Sequence, residues 1–226
     1  MREVRVRPVV LILAAVLVVT ACGAAGVAQL ATIVSRFADP AGDTAAGAPP
    51  TVYDALTMVT RRIDNSPFGS YDTLQVEVTF AQPVVLPPPG GTGDAAGTQM
   101  VPELAIDTDE NPATGLSYGC GALGFSMPGG DFFLFSWEGP GRLANGNYTI
   151  VDTTLSPVGE ASVAVSGNTL TFNIPLSALG GDDGATRTGI FAGNMNGGSI
   201  KETDCAPNGG GMVITKQGGP GLGVRR

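Results

Sequence analysis

Apolar and polar residues alternate along several short segments of this 226-residue chain. The clearest segment runs from Leu74 to Phe80, where apolar side chains hold every second position and Gln75, Glu77 and Thr79 fall between them. Because successive side chains of a strand point to opposite faces of a sheet, this pattern predicts a half-buried β-strand. Further strands are predicted at 53–59, 103–107, 131–137, 148–153, 161–165, 169–174, 189–194 and 212–215.

Turn residues separate these segments. The Gly167-Asn168 pair lies between two alternating runs and predicts a β-hairpin. Residues 175–180 begin with proline and end with glycine, which predicts one helical turn. Three consecutive prolines and a glycine-rich run predict a long loop over residues 84–100. Short strands separated by turns predict an all-β fold, an antiparallel β-sandwich of jelly-roll-like kind with long loops.

Residues 23–38 have two interpretations. Their larger apolar side chains fall at helical spacing, which predicts a short amphipathic helix, and a first strand is the competing prediction. These side chains are Val27, Leu30, Ile33, Val34 and Phe37.

The first 22 residues have the composition of an export signal. Three arginines precede an uninterrupted apolar run from Val9 to Val19. Crossing a bilayer takes roughly 20 apolar residues, so this run is too short to span one. Two interpretations of this segment are an ordinary signal peptide, cut among the small residues at 21–25, and an uncleaved membrane anchor.

The end of the apolar run, Val19-Thr-Ala-Cys22, resembles the lipobox of bacterial lipoproteins. The resemblance implies cleavage before Cys22 and lipidation of that residue, which would tether the protein to a membrane outside the cytoplasm, in the cell envelope. The predicted organisation is a lipoprotein signal peptide (1–21), a tether with a possible short helix (22–36), a β-sandwich domain (37–217) and a flexible tail (218–226).

Charge and residue content exclude several function classes. The net charge of −8 argues against nucleic acid as a partner, because nucleic-acid binding relies on Lys and Arg that neutralise phosphates. The chain has no histidine, which excludes histidine-based catalytic triads, histidine zinc sites and histidine-ligated haem. Cys120 and Cys205 remain after cleavage before Cys22, and in an exported chain such a pair predicts a disulfide.

Oxygen-bearing side chains recur at every second position in the segment from Asp107 to Gly115. Asp107, Asp109 and Asn111 directly follow a short apolar run. In a loop that curls on itself, three such side chains converge on one point, and Ca²⁺ prefers carboxylate, amide and backbone oxygens. The match to an EF-hand loop is partial, because Pro112 and Tyr118 stand where that loop has glycine and glutamate. A polar turn that binds no metal is the alternative.

The order of several motifs resembles that of exported bacterial domains similar to family 9 carbohydrate-binding modules and the broader DOMON-like superfamily. The motifs are those at 39–43, 53–54, 107–115, 130–132 and 173–179, and the similarity covers roughly residues 37–215. The resemblance implies a β-sandwich of two antiparallel sheets, often with Ca²⁺ bound near loops, and a role in binding sugar or haem. The missing histidine removes the axial ligand that haem binding needs.

Other aspartates and an aromatic run are further candidates for ligand binding. Asp39, Asp43, Asp131 and Asp204 are candidate cation ligands beside Asp107 and its neighbours, since Ca²⁺ accepts 6–8 oxygens from scattered loops. The alternative for each is a turn or strand-edge aspartate. Trp137, with the phenylalanines at 132, 133 and 135 before it, is a candidate stacking platform for sugar, and core packing is the alternative.

The sequence therefore predicts a non-enzymatic binding module on a lipid anchor, stabilised by Ca²⁺, with a glycan or an envelope protein as ligand. Two other classes stay open: a hydrolase that acts on glycans through a pair of carboxylates, and a purely structural envelope lipoprotein.

Overall fold

The structure is a computed structural model that describes part of the chain. The described residues are 33–45, 52–63, 72–94, 96–120, 125–135, 142–180, 185–196, 199–207 and 212–214. The chain divides into two compact units, residues 1–30 and 31–226, and all described residues belong to the second. The predicted signal peptide, Cys22, Trp137 and the predicted tail lie outside the described residues.

Within these ranges the protein is all-β and antiparallel, which confirms the predicted fold class. The strands are β1 (Ile33–Ala38), β2 (Ala55–Ile63), β3 (Thr73–Phe80), β4 (Ala96–Asp107), β5 (Leu116–Cys120), β6 (Phe125–Gly130), β7 (Phe132–Leu134), β8 (Tyr148–Asp152), β9 (Pro157–Ser166), β10 (Thr169–Pro175), β11 (Thr186–Asn196), β12 (Ser199–Ala206) and β13 (Met212–Ile214). A single 3-10 turn, Leu176–Leu179, follows β10 and is the one helical element in the described ranges.

Eleven strands form one curled sheet. Its hydrogen-bonded order is β1-β2-β3-β10-β9-β8-β7-β4-β11-β12, and β13 pairs with β11 beside this path. The sheet curls so far that β1 and β2 contact β13, and β2 also contacts β12. The apolar faces of both halves therefore meet in a shared core. Strands β5 and β6 form a separate hairpin.

The alternation of β3 shows how the sequence builds this core. Leu74, Val76, Val78 and Phe80 are fully buried, whereas the residues between them are half-buried. On β4, Leu104 and Ile106 join the same core, while Ala105 joins a second apolar cluster. Since neighbouring residues of a strand face opposite ways, the second cluster lies on the other face of the sheet.

The β5–β6 hairpin covers this second cluster. Tyr118 of β5 packs edge-on against Phe191, with ring centroids 4.3 Å apart, and also against Phe133 and Phe135. Phe133 and Phe135 stack on each other at 5.2 Å. Of the predicted aromatic platform, these two rings belong to core packing, because the hairpin shields them.

Several predicted elements differ from the structure. Of the two predictions for residues 23–38, the strand is confirmed where the structure describes them: residues 33–38 form β1, because pairing with β2 satisfies their backbone and Phe37 packs on the core. The predicted loop at 84–100 ends early, since Ala96 to Met100 already pair with β11 as part of β4. Strands β5 and β6 were not predicted, because their short or glycine-rich sequences lack clear alternation; β12 was not predicted, because polar residues such as Thr203 and Asp204 hold buried positions.

The predicted turns are confirmed. Gly167 has φ 61° at the turn between β9 and β10, whose strands pair from Ser166 and Thr169 onward. Residues 176–179 form the predicted helical turn, as a 3-10 turn that ends at Gly180.

The predicted disulfide is not settled by the described residues. Cys205 is buried on β12 and is not a free thiol. The side chain of Cys120 lies outside the description, so its pairing with Cys205 stays a prediction.

Candidate cation site and adjoining cleft

Asp107 ends β4 with a fully buried carboxylate. Its Oδ1 accepts a hydrogen bond from the Asp109 amide at 3.2 Å, whereas its Oδ2 accepts none from the described residues. Arg187, the register partner of Asp107 on β11, places its Nη1 3.7 Å from that Oδ2. Burial raises the pKa of Asp107, and the charge of Arg187 opposes the rise. This buried oxygen therefore has an ion-pair partner in Arg187 but no hydrogen-bond donor among the described residues.

The loop after Asp107 curls as its side-chain spacing predicts. Asp109 Oδ1 accepts from the Asn111 amide at 2.9 Å, and Asn111 Oδ1 accepts from the Ala113 amide at 3.1 Å. Thr114 Oγ1 lies 3.0 Å from both oxygens of Asp109, closing the loop. These donors, first the Asn111 amide, lower the pKa of Asp109 below its ordinary value. The side-chain oxygen of Asn111 is thus a hydrogen-bond acceptor within the turn.

Asp131 completes a group of three carboxylates. Its amide donates to the Ile106 carbonyl at 2.8 Å, which holds it beside the end of β4. Its Oδ2 accepts from both the amide and the hydroxyl of Thr108 at 2.9 Å. One oxygen from each of Asp107, Asp109 and Asp131 lies within 4.8 Å of the other two. We refer to these three residues as the β4 cluster.

Gly129 forms a close wall of this site. It has φ 86°, and a Cβ placed on it would lie 2.7 Å from the Asn111 carbonyl oxygen and 3.0 Å from Asp107 Oδ2. A side chain at position 129 would therefore occupy the space that these two oxygens face. The Asn111 backbone oxygen itself accepts from the amide and the hydroxyl of Thr114, at 3.1 and 2.8 Å.

Asp39 and Asp43 lie in a second group, with Asp204. One oxygen from each of these three residues lies within 4.8 Å of the other two, and we refer to them as the β12 cluster. Asp204 is fully buried on β12, where its Oδ2 accepts from the Ala55 amide at 2.6 Å and its Oδ1 from the Cys205 amide at 2.8 Å. Burial raises the pKa of Asp204 to about 7, and the charges of Asp43 and Asp54 add to the rise.

An open cleft of about 360 Å³ adjoins the β4 cluster. Its walls come from the end of β4, the start of β7, the end of β8 and the residue after the 3-10 turn. Phe132 and Asp152 face each other in register across β7 and β8, which brings Asp152 beside Asp131. The lining residues are Thr108, Asp109, Asp131, Phe132, Asp152, Thr153 and Gly180.

Some participants at this site were not predicted. Asp152 ends an unremarkable strand, and its Oδ1 accepts hydrogen bonds from Thr154 and Ser156 like any turn aspartate. Arg187 reaches the site through the pairing of β4 with β11, which lie 80 positions apart in register at Asp107 and Arg187. Local sequence patterns carry no signal for either residue, because their neighbours come from distant strands.

Comparison with protein-family models, curated proteins and solved structures finds no match to this chain. The resemblance to family 9 carbohydrate-binding modules therefore stays a prediction. Among the residues that the structure describes, no helix is both long and apolar enough to cross a membrane.

Proposed function

We propose that this protein is a non-enzymatic binding module of the cell envelope, anchored by a lipid on Cys22 and stabilised by Ca²⁺. The observation that carries the proposal is the convergence of Asp107, Asp109 and Asp131 around an oxygen that accepts no hydrogen bond from the described residues. Three carboxylates held this close repel one another, and a divalent cation between them offsets that repulsion.

The residues of the β4 cluster fit Ca²⁺ by their donor chemistry. They offer carboxylate oxygens in a loop whose shape its own hydrogen bonds already hold. Hard oxygen donors in an irregular shell suit Ca²⁺, whereas Mg²⁺ demands near-octahedral geometry. Asp107 is the innermost ligand of the proposed site, and Asp109 and Asp131 hold the cation toward the cleft. Asp39 and Asp43 are further candidate ligands in the β12 cluster.

The carboxylates along the cleft support binding better than catalysis. Hydrogen-bond donors from Asn111 and from Thr154 lower the pKa of Asp109 and of Asp152. A general acid in a glycosidase needs a raised pKa, so these two groups are suited to accept hydrogen bonds and to ligate cations. The ligand we propose is a glycan or an envelope protein, and the proposal includes a disulfide between Cys120 and Cys205.

Chelation tests the cation. We expect EDTA to lower the melting temperature of the purified protein and added Ca²⁺ to restore it, because a ligand that binds the folded state adds about 2.7 kcal/mol at 100 times its Kd. Asp109→Asn should abolish this response, since it removes a charged ligand and keeps an oxygen for the Asn111 amide. Asp94→Asn is the matched control, an aspartate that also closes a local turn, through Thr98, away from the site. Equal melting with and without EDTA would remove the cation from the proposal.

Fractionation tests the anchor. We expect the full-length chain, expressed in a bacterium, to sediment with membranes and Cys22→Ser to move it to the soluble fraction, because the variant has no thiol for the lipid. Metabolic labelling with a radioactive fatty acid should mark the parent chain alone. Membrane retention of the Cys22→Ser chain would contradict a lipid anchor at this residue.

A further inference from the structure

We propose that the end of the sheet that carries the β4 cluster docks on the surface of the lipid bilayer in which the protein is anchored. The occupant of this surface is a bilayer of zwitterionic phospholipid, and the contact is made by exposed apolar side chains, first among them Leu155 and Val158. This inference rests on the proposed lipid at Cys22.

The strand pairing places the start of β1 and the β4 cluster at the same end of the sheet. Each pairing is antiparallel and in register, so the start of β1 lies at the same end as the end of β2, the start of β3 and the end of β10. The next pairings continue this end through the start of β9, the end of β8, the start of β7 and the end of β4. We refer to this end, which runs from Ile33 through Asp152 to Asp107, as the tether rim.

The length of chain before β1 keeps the tether rim near the anchor. Ten residues, 23–32, lie between Cys22 and Ile33, and a fully extended chain of that length spans about 35–40 Å at most. The opposite rim lies a further strand length away, about 25 Å for the eight residues of β3. Of the two rims, the tether rim is thus the one that a lipid at Cys22 holds closer to the bilayer.

Exposed apolar side chains lie in the loops and strand ends of the tether rim. Leu155 is 47% exposed in the turn between β8 and β9, three residues after Asp152, and Val158 is 40% exposed at the start of β9. Leu116 is 41% exposed directly after the loop that carries Asp109. Removing apolar surface from water is favourable, so these side chains gain from entering the interfacial layer of a bilayer.

The backbone of Leu155 indicates that its side chain has a role outside the domain. It has φ 62°, a left-handed conformation that is costly for leucine and that glycine or asparagine adopts more readily. Its amide donates to the Asp152 carbonyl at 2.9 Å, a bond that any residue other than proline makes in this turn. A leucine that is both strained and nearly half exposed contributes little to folding, whereas contact with a bilayer buries its side chain.

Charge selects the kind of bilayer. Asp107, Asp109, Asp131 and Asp152 bring four carboxylates to the cluster and its cleft, whereas Arg187 and one Ca²⁺ supply three positive charges. Hydrogen bonds within their turns lower the pKa of Asp109 and of Asp152, which therefore stay ionised at neutral pH. This part of the rim is negative with or without the cation, so anionic lipid repels it at short range. Zwitterionic headgroups carry no net charge and present ammonium groups to the carboxylates.

The test places tryptophan reporters on both rims of the full-length, lipidated protein, reconstituted in phosphatidylcholine vesicles. Leu155→Trp reports on the tether rim, and Val165→Trp, at a residue 41% exposed near the opposite rim, is the matched control. Phosphatidylcholine with brominated acyl chains quenches tryptophan that enters the bilayer, and the signal of Trp137 in the parent chain is subtracted. Because docked side chains reach about 5–10 Å into the interface, we expect about a twofold loss of fluorescence for Leu155→Trp and none for Val165→Trp.

Leu155→Gly separates docking from folding. Glycine suits the left-handed backbone and removes the exposed side chain, so the melting temperature should stay the same or rise. With Val158→Trp as the reporter, adding Leu155→Gly should reduce the quenching by about half, because one of the neighbouring apolar anchors is gone. Mixing anionic phosphatidylglycerol into the vesicles should weaken the quenching of Leu155→Trp in EDTA, and Ca²⁺ should restore part of it.

The outcomes separate this inference from the anchor beneath it. Protein that floats with the vesicles and shows no quenching at Leu155→Trp keeps the anchor and overturns the docking. Equal quenching of Leu155→Trp and Val165→Trp would show that neither rim is preferred, and a lower melting temperature for Leu155→Gly would assign Leu155 to the fold. Stronger quenching on phosphatidylglycerol in EDTA would overturn the choice of lipid. Protein that does not float with the vesicles contradicts the lipid at Cys22 itself.

Discussion

The β4 and β12 clusters bring the same chemistry together with different consequences. In each, three aspartate oxygens lie within 4.8 Å of one another. In the β12 cluster, both oxygens of Asp204 accept backbone hydrogen bonds, and these tie the start of β2 to β12. In the β4 cluster, one oxygen of Asp107 accepts no hydrogen bond from the described residues, and the group opens on a cleft.

The two clusters also offset their negative charge differently. Burial and the charges of Asp43 and Asp54 raise the pKa of Asp204 to about 7, so this carboxyl takes up a proton readily. At the β4 cluster, Arg187 stands 3.7 Å from Asp107 and supplies part of the opposing charge. The comparison shows that close carboxylates alone do not define a cation site. The difference between the clusters lies in their fully buried members: both oxygens of Asp204 accept backbone hydrogen bonds, whereas one oxygen of Asp107 accepts none from the described residues.

The strongest test of the difference between the two clusters is the removal of the Asp204 side chain. We expect Asp204→Ala to lower the free energy of unfolding by about 4 kcal/mol, because it leaves the buried amides of Ala55 and Cys205 without an acceptor at about 2 kcal/mol each. Urea denaturation in EDTA and in Ca²⁺ measures the loss. It should be the same in both buffers, since we assign the role of Asp204 to its hydrogen bonds.

Asp204→Asn is the matched control for that change. It keeps one acceptor oxygen in the same shape, so we expect about half of the loss. If the Asp204→Ala chain no longer responds to EDTA while the parent does, the cation lies in the β12 cluster and the contrast between the clusters is wrong.

A second variant disturbs the β4 cluster by changing the backbone of its loop, without altering any of the three aspartates. Gly115 ends the loop that carries Asp109; it has φ 64°, and a Cβ on it would lie 2.3 Å from the Gly130 carbonyl oxygen. We expect Gly115→Ala to cost about 3 kcal/mol of unfolding free energy, from left-handed backbone strain together with overpacking. The same variant should weaken Ca²⁺ binding, measured by calorimetric titration, because the loop must shift.

Gly167→Ala separates strain from packing in that experiment. Gly167 has φ 61° and open space around its Cβ position, so strain alone should cost about 1 kcal/mol and leave Ca²⁺ binding unchanged. Equal losses for the two glycine variants would mean that the contact with Gly130 does not support the loop.

The parts of the fold that were predictable from sequence are those set by local pattern. The alternation at 74–80 predicts β3 because burial on one face requires it, and the Gly167-Asn168 turn predicts its hairpin. The spacing of Asp107, Asp109 and Asn111 predicts oxygen donors that converge in a curled loop; Asp109 does lie with Asp107, whereas the Asn111 side-chain oxygen accepts from the Ala113 amide in the turn.

The rest depends on partners from far along the chain. Strand β12 has buried polar residues such as Thr203 and Asp204, whose burial follows from hydrogen bonds to Tyr53 and Ala55. The spacing of acidic residues likewise does not predict which of them share a cluster. It does not indicate that Asp131 lies with Asp107, or that Asp39 lies with Asp204. Strand pairing across the curled sheet decides that sorting, and a single sequence carries no local signal for it.

Substitution of Arg187 tests the same difference between the clusters with the smallest expected loss of stability. We expect Arg187→Gln to lower the free energy of unfolding by about 2 kcal/mol in EDTA, because the buried carboxylate of Asp107 then lacks its nearest positive charge. Ca²⁺ should return most of this stability, since the cation supplies the missing charge. Urea denaturation in both buffers measures the difference. Arg61→Gln, which breaks the part-exposed ion pair with Glu77, is the control and should cost about 0.5 kcal/mol in either buffer. A loss from Arg187→Gln that Ca²⁺ does not reduce would show that the guanidinium and the cation do not act on the same carboxylate.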